Sequence, residues 1–129
     1  MKKMNSLFVI WGFLMLLMAA GCNTNNSGPK DLLNNYFTSA INQDYGATYD
    51  CYYAPYKQKI NKDEYIKHRE EGSVLKSYKI ISLEQRDGLA HAEVLLSFEP
   101  LGKTDQNIVS TTVREDMVRE GGQWKIKVW

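Results

Sequence analysis

Beyond Gly72 the chain changes its repeat, and this limits its fold more than any other feature. From residue 77 apolar and polar side chains alternate, the two-residue period of a half-buried strand. Ser77–Gln85 and Ala90–Phe98 flank Arg86-Asp87-Gly88-Leu89, whose central Asp-Gly pair suits a tight hairpin turn. A two-residue turn there sets Leu83 opposite Ala92 and Ile81 opposite Val94 on one face. Glu84 then meets His91, and Ser82 meets Glu93, on the other. The first face reads as core and the second as solvated, as in an antiparallel sheet with one wet side. Glu84 and His91 read as a surface pair, with a catalytic dyad as the sharper alternative.

A polar loop, Pro100-Leu101-Gly102-Lys103-Thr104-Asp105, leads to a second hairpin, Ile108–Arg119 and Gln123–Trp129, across Glu120-Gly121-Gly122. Its register stays open. A two-residue Gly-Gly turn sets Met117 against Ile126. A three-residue loop sets Val118 against Trp124 and carries Asp116 inward beside Ile126. A carboxylate on the core side needs partners or a raised pKa, which makes Asp116 the candidate pocket acid. A bulge that returns Asp116 to solvent is the plainer reading.

The preceding segment has helical spacing. Leu32, Leu33, Tyr36, Phe37, Ala40 and Ile41 form one apolar stripe after Pro29, which suits a first helical turn. A second helix is expected over Tyr45–Tyr53, ended or bent by Pro55. Tyr45, Tyr49, Tyr52, Tyr53 and Tyr56 crowd along it, apolar in their rings and polar at their tips. Tyr49, Tyr52 and Tyr53 are therefore candidate ligand-binding residues together with Asp116, against the simpler reading of core packing. Asn61 and Glu64 form a capping-box pattern that opens a third helix, with Ile60 and Tyr65 placed as a hydrophobic staple and Gly72 as its stop. Glu64, His68 and Glu71 share a face of that helix, which reads as a solvated charge face rather than a metal site.

The first residues read as an export signal. Lys2 and Lys3 precede the uncharged, mostly apolar run Leu7–Ala20, which closes on small side chains. As a helix that run rises only about 21 Å, short of the roughly 30 Å of hydrocarbon in a bilayer. Ala19-Ala20-Gly21-Cys22 resembles the lipobox of bacterial lipoproteins, although Ala19 stands where Leu is commonest. The resemblance implies a diacylglyceryl group on the Cys22 sulfur and cleavage between Gly21 and Cys22. Two acyl chains hold firmly where one binds only marginally. The expected organisation is a signal peptide over 1–21, a lipidated Cys and polar tether over 22–29, and one domain over 30–129. Asn23-Thr24-Asn25-Asn26-Ser27-Gly28-Pro29 reaches about 25 Å when extended, which keeps the domain near the extracytoplasmic face of the membrane.

Without Lys2 and Lys3 the 16 basic residues fall to 14, against 15 acidic ones, and no basic stripe remains for nucleic acid. If lipid takes Cys22, Cys51 is left as a lone thiol, expected as a small buried residue. No Gly-rich phosphate loop, zinc spacing or nucleophile elbow appears, and no cofactor is implied.

Helices followed by long antiparallel strands make an α+β layout. The opener Leu32–Ile41, Asp44-Tyr45-Gly46-Ala47, Leu89-Ala90-His91-Ala92-Glu93-Val94 and Gly121-Gly122-Gln123-Trp124-Lys125-Ile126 resemble the nuclear transport factor 2-like superfamily. That resemblance covers about Pro29 to Trp129. It implies N-terminal helices packed on a curved antiparallel sheet, a cone closed around the first helix. The superfamily holds isomerases, dehydratases, cyclases and plain binding modules, so it lends no single activity. The expectation is a membrane-anchored lipoprotein whose domain binds a small molecule or a protein without catalysis. The alternative is an isomerase- or dehydratase-type enzyme using Asp116, His91 or a tyrosine inside the cone. Pairing with a second copy through the sheet is a further expectation.

Replacing Cys22 with Ser is expected to release the protein from the membrane pellet into the soluble fraction. A Cys22→Ser protein still held in the pellet by its N-terminus would contradict the lipid reading.

Overall fold

The computed structural model describes residues 28–100 and 107–129. Four helices come first: α1 (Pro29–Ile41), α2 (Tyr45–Asp50), α3 (Ala54–Lys59) and α4 (Lys62–Glu70). Four strands follow, β1 (Val74–Arg86), β2 (Leu89–Glu99), β3 (Val109–Glu120) and β4 (Gln123–Lys127), in one open antiparallel sheet of order β1-β2-β3-β4. None of the helices among the described residues is long and apolar enough to cross a membrane.

Local chemistry sets the helix ends. Pro29 occupies the first turn of α1. The Asp44 carboxylate accepts the Ala47 N–H at the start of α2, and the Asn61 amide oxygen accepts the Glu64 N–H at 2.9 Å at the start of α4. The helix expected over Tyr45–Tyr53 stops at Asp50, and a further short helix, α3, begins at Ala54. Pro55 opens α3 rather than closing α2, because a missing N–H is harmless in a first turn. The residues between α2 and α3 have a different task. Tyr52 bridges Ile126 in parallel, the Ile126 N–H donates to the Cys51 carbonyl at 2.8 Å, and the Tyr53 N–H donates to the Ile126 carbonyl at 2.9 Å. This short segment closes the outer edge of β4.

The first hairpin turns at Asp87-Gly88 as expected, with Leu83 opposite Ala92 and Glu84 opposite His91. Further along, the register shifts between Ile80 and Ser82, so Ile80 rather than Ile81 faces Val94. Ile81 is the extra residue of a bulge and is left 52% exposed. The second hairpin takes the two-residue turn: Glu120 pairs with Gln123 and Met117 with Ile126. Gly121 at φ 58° and Gly122 at φ 79° supply the left-handed backbone that such a turn demands. The three-residue alternative, with Asp116 beside Ile126, is thereby corrected.

With that register, one face of the sheet is apolar. Ala90, Ala92, Val94 and Leu96 of β2, Met117 of β3, and Trp124 and Ile126 of β4 are buried beneath Leu32, Leu33, Tyr36, Phe37 and Ala40 of α1. Each large apolar side chain buried here contributes about 1.5–3 kcal/mol. Phe37 stacks on Tyr78 with ring centroids 5.1 Å apart, and the Tyr78 hydroxyl donates to Asn34 Oδ1 at 2.8 Å, so α1 is held to β1 by both a ring and a hydrogen bond.

Nothing lies within 4 Å of a Cβ built on Gly121 or Gly122, so substitution there tests the backbone alone. Gly122→Ala is expected to cost about 1–2 kcal/mol, each kcal/mol lowering Tm by about 4–8 °C in a domain of this size. An unchanged Tm would contradict the two-residue turn.

Candidate functional site

On the solvent face of the sheet the pairing aligns one residue from each strand. Glu84 lies opposite His91, His91 opposite Asp116, and Asp116 opposite Lys127. Arg114, two residues before Asp116 on β3, shares this face, because side chains alternate along a strand. These residues and Trp129 line a concavity of about 740 Å³ that also reaches Leu89 and Met117.

The polar groups of the concavity bond to one another. Arg114 Nε donates to Asp116 Oδ1 at 3.0 Å, and Trp129 Nε1 donates to Asp116 Oδ2. Lys127 Nζ stands 3.6 Å from the centroid of the Trp129 ring, a cation–π contact. His91 Nε2 is 3.0 Å from Glu84 Oε2, an exposed pair that adds little to stability. The Asp116 side chain is only 19% exposed. Partial burial pushes its carboxyl up, but the hydrogen bonds from Trp129 and Arg114, with the Arg114 charge and His91, outweigh burial and hold it below its ordinary value. Asp116 is therefore a fixed anion and a hydrogen-bond acceptor, not a proton donor near neutrality. Trp129 is 83% exposed. An exposed indole beside an ionised carboxylate, a guanidinium and an ammonium can take a polar ligand that also has a flat or apolar part.

The opposite face holds a second cluster. Glu115 lies opposite Ala92, between Val113 and Met117 in the inward parity of β3. Burial, and then the neighbouring Asp116 charge, push its carboxyl up to about 7. The Tyr36 and Tyr52 hydroxyls lie 2.6 Å apart in the core, and the Tyr65 hydroxyl is 3.0 Å from Thr48 Oγ1. Burial raises both Tyr36 and Tyr52 well beyond the ordinary phenol range. The Arg69 guanidinium sits 5.3 Å over the Tyr45 ring, with its Nε buried and without a hydrogen-bond partner among the described residues.

The structure does not bring the expected site residues together. Tyr49 and Tyr52 are buried on the helical side, while Asp116 lies across the sheet. The Tyr49 hydroxyl donates to the Ile60 carbonyl at 2.8 Å, and the Tyr53 hydroxyl donates to the Val128 carbonyl at 2.6 Å. Asp116 as an inward acid is corrected: the Gly-Gly turn gives it to the outer face and gives Glu115 to the inner one. Parity along β3 was the signal for Glu115, since Met117 facing Ile126 in the core carries Glu115 inward with it. Cys51 is fully buried, with its Sγ 3.4 Å from the Ala47 carbonyl oxygen. Gly21 and Cys22 lie outside the described residues.

No family model and no curated protein matches the chain. Solved structures do match. A SEC-C motif containing protein from Rhodopseudomonas palustris aligns with a TM-score of 0.67 at 13% identity, over 79% of this chain and 77% of that one. A protein of unknown function from Pseudomonas putida, described as NTF2-like, aligns at 0.52 and 18% identity, over 75% and 78%. A candidate NTF2-like transpeptidase from Campylobacter jejuni aligns at 0.51 and 14% identity, over 79% and 99%. The chain shares its fold with these SEC-C motif and NTF2-like proteins. At these identities the likeness is one of architecture alone, an α+β domain with an open four-stranded antiparallel sheet.

Glu115 makes stability depend on pH. Its folded pKa lies above the ordinary 4.5, so between pH 4.5 and about 7 the native state holds more protons than the unfolded one. Stability then falls as pH rises through that window and is level above it. Glu115→Gln is expected to remove the fall and to be more stable than the parent at pH 8 by about 1–3 kcal/mol. Urea unfolding at several pH values checks this, and a variant less stable at pH 8 would contradict it.

Proposed function

We propose that the chain is a membrane-anchored extracytoplasmic lipoprotein whose domain is a binding module, with the outer concavity around Asp116 and Trp129 as its ligand site. One observation carries the binding part. An exposed indole and an ionised, partly buried carboxylate are held together at the rim of a concavity by hydrogen bonds that fix both in place. Preorganised groups lose little freedom on binding. The fitting ligand is a small polar molecule, or a short segment of a protein partner, with a flat portion for the Trp129 ring. Anchoring is supported by the order of the N-terminal sequence: Lys2 and Lys3, the apolar run to Ala20, then Gly21-Cys22.

Glu115 favours a second reading, an isomerase- or dehydratase-type enzyme. A carboxyl that titrates near neutrality, on the face that carries the Tyr36–Tyr52 pair, is suited to moving protons.

Chemical-shift mapping with a library of small polar fragments separates the readings. The binding module predicts shifts that cluster at His91, Arg114, Asp116 and the Trp129 indole, and that disappear in Trp129→Ala. Shifts confined to Glu115, Tyr36 and Tyr52 would favour the enzyme, and a silent outer face would contradict the proposed site.

A further inference from the structure

The sheet has three edges of unequal character among the described residues. The outer edge of β1 is broken by two register shifts and carries Lys76 and Lys79, features that discourage a further strand. The outer edge of β4 is closed by the Tyr52 segment. The first half of β3 has neither protection. β4 pairs only with Asp116–Glu120, so Val109–Glu115 runs past the end of β4, bonded to β2 on one side only.

The free groups follow from the pairing. The Arg119 N–H donates to the Gly88 carbonyl at 2.9 Å, so the backbone groups of Arg119 point toward the β2 side. Bonding direction alternates along an antiparallel strand, and the β2–β3 register runs without a shift from Val118 to Val109. The backbone N–H and C=O of Ser110, Thr112 and Arg114 therefore point away from β2, toward the open edge. The segment is also free of charge and of proline: Asn107-Ile108-Val109-Ser110-Thr111-Thr112-Val113, with Ile108 56% and Val109 54% exposed. Uncharged, β-prone and exposed, it is a strand edge without the usual protections.

We infer that this edge pairs with the same edge of a second copy, joining two four-stranded sheets about a twofold axis beside Thr111. The sequence is self-complementary in that register. Thr111 faces Thr111 of the second copy, Ser110 faces Thr112, and Val109 faces Val113, so no like charges meet within the paired stretch. Ser110 and Thr112 become the hydrogen-bonded pairs, using the very backbone groups that are open. Shifting the axis to Thr112 would set Val109 against Glu115, which disfavours that register. A pairing this short buries less than the roughly 1,000 Å² of a stable interface, so the dimer forms at high protein concentration and dissociates on dilution.

Cysteine cross-linking reads the register directly. At Thr111 the two copies form a non-hydrogen-bonded pair with Cα atoms about 4.5 Å apart, within disulfide reach. Two Val109 residues would be four positions out of step, about 13 Å apart. The full chain in detergent is oxidised at high concentration, with the unmodified protein as the background for its own cysteines. Thr111→Cys is expected to give a covalent dimer above that background, and Val109→Cys is not. An equimolar mixture of Val109→Cys and Val113→Cys is expected to cross-link, and this holds the test open if Thr111→Cys misfolds. Thr111→Cys folding normally by its melting curve yet giving no added dimer would overturn the inference. So would Val109→Cys cross-linking with itself as readily, or a mixture that stays monomeric because the edge is covered by the chain itself or by another protein.

Discussion

Two adjacent carboxylates on β3 face opposite ways, and a two-residue turn decides which faces where. Gly121 and Gly122 both adopt positive φ, so Glu120 pairs with Gln123 and every residue of β3 and β4 takes its side of the sheet from that pairing. Met117, Trp124 and Ile126 go to the core beneath α1. Glu115 goes with them, and Asp116 goes to solvent. A slip of one residue would exchange the two faces of the hairpin. The apolar core therefore enforces the turn as strongly as the glycines permit it.

The two environments set opposite chemistry on neighbouring groups. Asp116 meets Arg114, Trp129 and His91 on the wet face, where donors hold it ionised. Glu115 loses solvent and gains no compensating donor among the described residues, so its neutral form is favoured. The Asp116 charge raises Glu115 further, which couples the two faces through a single strand. A fixed anion beside an exposed indole suits recognition. A carboxyl titrating near neutrality suits proton transfer.

Much of the fold was legible in the sequence because it rests on local patterns. The apolar stripe of α1, the Asn61 cap and the Asp87-Gly88 turn act over a few residues, and each appears where the pattern puts it. The misses share a cause in longer-range packing. Tyr52 leaves the helical path because its backbone closes the β4 edge, which no local signal announces. Ile81 is displaced by a bulge that brings Ile80 to Val94. The tyrosines do cluster, but the direction of their hydroxyls depends on Ile60, Val128 and Tyr36, which no local pattern specifies. The outer site was half visible: the Glu84–His91 pair followed from the first turn, whereas Asp116 and Trp129 joined it only once the second turn was settled.

Site-resolved titration of the side-chain carboxyl carbons by NMR is the most direct test of this arrangement. Glu115 should titrate with a midpoint near 7 and Asp116 below the ordinary aspartate value. The reverse order, with Asp116 elevated and Glu115 ordinary, would show that β3 presents its other face to the core and would contradict the account.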